Sequence, residues 1–304
     1  MERDLLAHLP VFLTVARRGG FAAAASELGM SPSAVSHSIR TVEERLGAPL
    51  FARTTRSVAL TETGRRLNDS IGAALQEIQE ALEIARAERG QVAGLLRLNV
   101  PQVALPMAIT PVVTELACRH PQLVVEVTVD STLTDIVAAG FDAGVRLGEM
   151  IERDMIAVRL TPPFKVIMVA APSYLEARGE LKSIGDLARH NCIGFRLLAS
   201  GGIYAWELRE DGEDVSVRVT GTTLVNDATY ARDLALAGVG IAYVFEPLVS
   251  KEIRDGTLRW ILPQAAIEEP GLFLYFPRRA SEAPKLRAFI QVAREVLQVH
   301  ANFT

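Results

Sequence analysis

The stretch that most constrains this chain is Ser31 to Leu46, S-P-S-A-V-S-H-S-I-R-T-V-E-E-R-L, followed by Gly47. Ser31 suits an N-cap, Pro32 suits the first helical position because the N–H it lacks would have no partner there, and Gly47 supplies a left-handed stop. A helix over residues 31–46 with both ends fixed is predicted. Val35, Ile39, Val42 and Leu46 recur at spacings of four, three and four and form one apolar stripe, while Ser33, Ser36, His37 and Arg40 fall on another face. Small hydroxyls, an imidazole and a guanidinium are groups that hydrogen-bond base edges and phosphates, so the helix reads as one that enters a major groove.

Its flanks agree. Phe21 to Leu28, F-A-A-A-A-S-E-L, is rich in alanines that let two helices approach closely, and Gly29 to Ser31 makes the short glycine-containing turn of a helix-turn-helix. Pro49 to Leu67 then holds two short extended runs around Arg53 to Arg56, which fit a wing whose arginines reach a flanking groove or the backbone. From Ala24 to Gly64 the motifs L-G-M-S-P-S-A-V-S-H-S-I-R, V-E-E-R-L-G, P-L-F, R-T-T-R-S-V and L-T-E-T-G follow one another. This run closely resembles the winged helix-turn-helix of LysR-type transcriptional regulators. The one departure is Val42 where that family usually has Leu, a conservative core change. The resemblance implies double-stranded DNA as partner, with Pro32, Ser33, Ser36, His37 and Arg40 of the helix and Arg53, Thr54, Thr55 and Arg56 of the wing in contact. For Arg40 an ordinary solvated charge is the alternative.

At 304 residues the chain has room for a small domain and a larger one of one or two lobes. A net charge of −4 does not by itself signal a DNA binder, but Ser31 to Arg66 carries six Arg against three Glu. Arginine outnumbers lysine throughout, which suits groove and phosphate reading, although a GC-rich genome gives the same bias. Glu2, Asp4, His8, Pro10 and Arg17–Arg18 break the pattern of a signal peptide, and no apolar run reaches the length of a membrane span. A cytoplasmic protein without membrane contact is expected. Cys118 and Cys192 read as reduced structural thiols.

Residues 62–90 read as one long helix in which Ile71, Leu75, Ile78 and Leu82 recur at four, three and four, a coiled-coil seam. A second chain is the simplest partner for it; packing on its own domain is the alternative. In the resembling family this is the linker helix that pairs subunits, so a homodimer, and by the family's habit a homotetramer, is implied.

Beyond it, β-rich runs alternate with helical ones, the pattern of an α/β domain over residues 91–304. A first unit carries strands at Leu95 to Val100, Leu123 to Asp130 and Ala143 to Leu147 and helices at Leu105 to His120 and Leu133 to Ala139. Crossings near Leu160 and Ile267 would give lobe I (91–161 and 267–304) and lobe II (162–266). The resemblance extends through G-F-D-A-G-V-R-L-G, D-L-A-R-H, A-G-V-G-I-A-Y and L-Y-F-P-R-R. It implies a fold class of winged helix-turn-helix (1–61), linker helix (62–90) and two-lobed, periplasmic-binding-protein-like effector domain.

In such a fold ligands sit at the carboxyl ends of strands. That places Gln102 and Val103, Ser131 and Thr132, and Arg146 and Gly148 in lobe I, with Phe195, Arg196, Tyr204, Asn226 and Asp227 in lobe II. Ser131 and Thr132 suit a carboxylate or simply cap the helix expected at 133. Arg146 either neutralises an anionic effector or pairs with Asp142 or Glu149. Tyr204 and Trp206 form a stacking wall or pack a sheet. The balance tilts towards an anion. No metalloprotease, nucleophile-elbow or phosphate-loop motif is present, and the five histidines have no ligand spacing, so an enzyme, a metal or a cofactor is not expected. The leading reading is a DNA-binding regulator whose effector shifts the headpieces, against a solute-capture protein or an effector-independent DNA binder.

Overall fold

The computed structural model describes residues 3–53, 58–87, 92–132, 134–148, 155–198 and 200–297. The chain divides into two compact units, Met1–Arg89 and Gly90–Thr304. In the first, α1 (Arg3–Arg18), α2 (Phe21–Leu28) and α3 (Pro32–Leu46) close around Phe12, Val15, Ala24, Val35, Ile39 and Val42. The hairpin β1 (Phe51–Arg53) and β2 (Val58–Leu60), with Phe51 opposite Leu60, is the wing, and α4 (Glu62–Ala87) follows. Both ends of α3 are as the sequence demands: the Ser31 hydroxyl accepts from the Ala34 N–H at 3.2 Å, and Gly47 turns the chain at φ +65°. Leu46 leaves the stripe; in the last turn it is 42% exposed, while Val35, Ile39 and Val42 are fully buried.

Two ties fix the wing to the helices. The Glu43 carboxylate accepts from the backbone N–H of Leu50 at 2.8 Å and of Phe51 at 3.3 Å. The Thr61 hydroxyl donates to the Pro49 carbonyl at 2.8 Å and accepts from the Gly64 N–H at 3.0 Å, capping α4. Gly64 is obligatory in this packing, since a Cβ there would lie 2.2 Å from the Leu50 carbonyl oxygen.

The second unit begins with β3 (Gly94–Val100), a π-helical turn (Leu105–Ile109), α5 (Thr110–Arg119), β4 (Leu123–Val129), β5 (Ala143–Leu147) and β6 (Met155–Arg159). Lobe II contains β7 (Phe164–Ala170), α6 (Pro172–Arg178), β8 (Ile193–Arg196), β9 (Ile203–Tyr204), the hairpin β10 (Trp206–Glu210) and β11 (Glu213–Val217), and β12 (Thr223–Val225). It continues with α7 (Ala228–Leu236), β13 (Ala242–Phe245), α8 (Ser250–Arg254), β14 (Arg259–Ile261) and β15 (Ile267–Glu269). The chain returns to lobe I as β16 (Leu272–Pro277) and α9 (Pro284–Val296). Lobe I is one sheet in the order β4-β3-β5-β16-β6, with β3 parallel to β4 and β5. In lobe II β7 pairs antiparallel with β13, β14 and β15, and β8 runs parallel to β12.

Three expectations change. No helix forms over residues 134–139, the described part of the helix expected from Leu133 to Ala139: the Asp130 carboxylate draws in Thr132 and Thr134, and the Asp135 carboxylate takes the Val137 and Ala138 N–H groups at 3.0 Å. Side chains here compete with the helix for backbone donors, and turns result. The return crossing lies at Pro270–Gly271 rather than Ile267, because Ile267–Glu269 extend the sheet of β7. Cys118 is exposed rather than structural, whereas Cys192 is buried, its thiol pushed up to about 12 by desolvation. Among the described residues no helix is long and apolar enough to cross a membrane.

Candidate functional site

The first surface is the outer face of α3. Pro32, Ser33, His37 and Arg40 are exposed and Ser36 is half-buried, on the side opposite Val35, Ile39 and Val42. The Ser33 hydroxyl shares a 2.9 Å hydrogen bond with Ser31, and the Arg40 guanidinium has no ion pair among the described residues. The other cations nearby are engaged: Arg17 and Arg18 both bind Glu27, and Arg65 and Arg66 both bind Glu62. Burial raises the Glu27 carboxyl, but its hydrogen bonds and charge interactions with the two arginines leave it lowered overall. Among the described residues these four cations are paired, whereas Arg40, on the face that points away from the core, has no ion pair. Arg53 ends β1, though nothing is described of its side chain, and Thr54, Thr55 and Arg56 lie outside the described residues.

On α4, Ile71 and Leu75 are half-buried and Ile78 is 56% exposed. A Cβ on Gly72 would sit 4.0 Å from Leu13, so α4 passes close to α1 at this point. The side chain of Leu82 lies outside the described residues.

The second region is the carboxyl end of the parallel strands of lobe I. It faces lobe II, because Val103 and Met107, just after β3, pack on the lobe II cluster that contains Ile167, Ile193 and Val244. Gln102 and Ser131 are exposed. Thr132 is tied down, its N–H and hydroxyl donating to the Asp130 carboxylate at 2.8 and 2.7 Å. These bonds hold the Asp130 carboxyl below its ordinary value; the Thr132 backbone bond is the largest cause, and desolvation opposes it. Arg146, only 3% exposed, donates to the Val145 carbonyl and the Asn99 side chain at 2.6 Å and to the Thr132 carbonyl at 2.7 Å. It does not pair with Asp142, whose carboxylate binds Lys285 at 2.9 Å and the Arg97 N–H at 2.8 Å, and the alternative partner Glu149 lies outside the described residues.

Several other candidates have structural work. Gly148 makes room for Phe273, whose ring would lie 2.7 Å from a Cβ. Asp227 caps α7, accepting from the Tyr230 N–H at 2.7 Å, while Asn226 is exposed. The exposed Arg196 closes its own loop by donating to the Gly201 carbonyl at 2.7 Å. Tyr204 packs on the cluster containing Trp206, which is stacked on Tyr243 at 5.3 Å, so the aromatic pair packs a sheet rather than walling a pocket. Phe195 is half-buried beside Val103 in the cluster between the lobes.

Residues 6–65 match the family model of the bacterial regulatory helix-turn-helix protein, lysR family, and residues 89–298 match that of the LysR substrate binding domain. The chain belongs to the LysR family. Its relatives include the HTH-type transcriptional regulators YcaN and PgrR of Escherichia coli, 37% and 34% identical; the alignments span 93% and 95% of this chain and 92% and 97% of theirs. The solved structure of CrgA, a LysR-type regulator from Neisseria meningitidis, is 25% identical, superposes with a TM-score of 0.62 and covers 95% of this chain and 98% of its own. LysG of Corynebacterium glutamicum, solved with its effector Arg bound, shares the fold at a TM-score of 0.59 and 19% identity over 96% of this chain and 98% of its own. This LysR-type protein is thus a DNA-binding transcriptional regulator with an effector-binding domain, and the relatives named here are regulators rather than enzymes. Glu43, Thr61 and Gly64, which set the wing on the helices, are positioning residues that the sequence pattern does not single out; the T-E-T-G run carries the signal for the last two.

Proposed function

We propose that this LysR-family regulator binds its operator in the cytoplasm as a homodimer, with α4 of two chains paired along Leu75, Ile78 and Leu82. Each α3 then enters one half-site through Pro32, Ser33, Ser36, His37 and Arg40, with the wing residues Arg53, Thr54, Thr55 and Arg56 beside it. A small-molecule effector binds where Gln102, Ser131 and Arg146 of lobe I face Phe195 and Asn226 of lobe II, and its differential affinity for two arrangements of the dimer changes operator affinity. The observation that carries the reading is the outer face of α3: polar side chains, including a guanidinium with no ion pair among the described residues, on a helix whose other side buries Val35, Ile39 and Val42. The exposed Ile78 supports the pairing, since an apolar side chain on a 26-residue amphipathic helix gains by meeting another.

Footprinting on promoter fragments of its own genome, combined with light scattering, tests both halves. The wild type should have the mass of two chains, or of four if dimers pair again, and protect two half-sites about one helical turn or a multiple apart. The double variant Leu75→Asp, Ile78→Asp should have the mass of one chain and lose the paired footprint. An unchanged mass refutes the α4 pairing, and a wild type that protects no fragment refutes the operator reading.

A further inference from the structure

The guanidinium of Arg146 is charged, buried and short of a partner. Its five N–H groups are only partly used: Nη1 donates to the Val145 carbonyl and Nη2 to the Asn99 side chain and the Thr132 carbonyl, all neutral acceptors, while the buried Nε–H has no partner. Among the described residues no carboxylate lies within ion-pair distance of it. Asp130 lies close enough to act through its charge alone, and its oxygens are occupied by Thr132 and Thr134. Desolvation accordingly depresses the Arg146 guanidinium. A buried cation whose hydrogen bonds all go to neutral groups is costly, and a folded chain normally answers it with a directly bound anion.

The place is as telling as the missing charge. Asn99 lies next to the end of β3, Thr132 follows β4, and Arg146 lies next to the end of β5, so the carboxyl ends of the lobe I parallel strands converge on one guanidinium. Ser131, one residue from the carbonyl that Arg146 holds, presents its side chain to solvent. We propose that Arg146 is an anion subsite of the effector-binding domain and that the effector is a small carboxylate-bearing molecule whose oxygens take the unspent donors of Arg146, with the Ser131 hydroxyl as a second donor. The proposal rests on the reading that effectors bind at this end of lobe I. It also assigns a role to the Thr132 carbonyl: it holds the guanidinium in place, so that an arriving anion meets a donor already oriented.

The test uses the full chain and a small-molecule extract of the host cell, divided on an anion exchanger into retained and unretained fractions. Melting of the wild type is compared with that of Arg146→Met and of Arg146→Gln, which is neutral but can still donate to the Thr132 carbonyl. The retained fraction should raise the wild-type melting temperature by about 5 °C when its active component is well above its Kd, and should leave both variants unmoved. In the absence of extract, Arg146→Gln should still melt cooperatively but below the wild type, because it gives up the bonds to the Val145 carbonyl and the Asn99 side chain and the charge interaction with Asp130, so each protein is judged by its shift on adding a fraction. Stabilisation by the unretained fraction alone, or an equal response of wild type and Arg146→Gln, overturns the anion subsite while leaving effector binding standing. If neither fraction moves the wild type, effector binding at this site falls, and the anion subsite with it.

Discussion

The face of α3 and the strand ends of lobe I use the same kinds of side chain in opposite ways. On α3 Ser33, His37 and Arg40 are exposed with little holding them. At the ends of β3, β4 and β5, Asn99, Asp130, Thr132 and Arg146 are drawn inward and hydrogen-bond one another. Under the proposed function, the difference follows from the partner each surface would meet. A duplex is large, always anionic and reaches any exposed helix, so a reading face needs only a stable scaffold beneath it. A small effector has to be enclosed, so its site must be held in shape before the ligand arrives. If that contrast is right, the headpiece is vulnerable in its core, the effector site in its polar ties, and the reading face hardly at all in stability.

The largest effect is expected from Ile39→Ala. Ile39 is fully buried under α3, and truncating such a side chain costs about 2–5 kcal/mol. In calorimetry the transition of the unit Met1–Arg89 should fall by ten degrees or more, roughly, while that of Gly90–Thr304 stays in place. Operator binding should be lost at growth temperature and effector binding kept. One common transition that moves as a whole would show that both regions belong to a single cooperative body, and the contrast would fail.

How far each region can be read from the chain follows the same division. Ser31, Pro32 and Gly47 act on residues within a turn of themselves, so the ends of α3 and its two faces are written locally. The strand-end site is assembled from Asn99, Asp130 to Thr132 and Arg146, and the Asn99–Arg146 bond joins residues 47 apart. Spacing cannot announce such a contact; only the order β4-β3-β5 brings the three segments together. Gly148 is a similar case, because what it yields to, the ring of Phe273, comes from the far end of the domain. Part of the site was nevertheless within reach. D-S-T at Asp130 to Thr132 is a local pattern in which a carboxylate takes the donors two residues on, and it explains why a helix does not follow. The family resemblance gave the architecture of the second unit where periodicity alone offered only α/β alternation.

A middle-sized effect is expected from Asp130→Asn. The amide keeps the shape but loses the charge that strengthens the bonds from Thr132 and Thr134, at a cost of about 1–2 kcal/mol confined to the effector domain. The Asp130 carboxyl is lowered in the folded chain, so its stabilising contribution is complete above its unfolded value near ~3.9 and is lost as pH falls through the folded value. Melting of wild type and variant should therefore differ at neutral pH and converge in acid. A constant difference down to the acid limit would mean that the turn is held by packing and not by its carboxylate.

The smallest effect on stability, and the sharpest test of the contrast, comes from Arg40→Ala. Arg40 is exposed and has no ion pair among the described residues, so its removal should change the headpiece melting by less than about 0.5 kcal/mol. Binding should respond all the same. If the guanidinium meets a phosphate, the slope of log affinity against log salt falls by about one and all sequences weaken alike; if it meets a base edge, affinity for the operator drops by about 1–3 kcal/mol with discrimination relaxed at one position. Either result keeps α3 as the reading face, and the two are distinguished by binding to operator and scrambled DNA across a salt series. A variant that matched the wild type on both DNAs at every salt concentration would remove Arg40 from the interface, leaving the face to Ser33, Ser36 and His37, none of which carries a fixed charge to answer a phosphate.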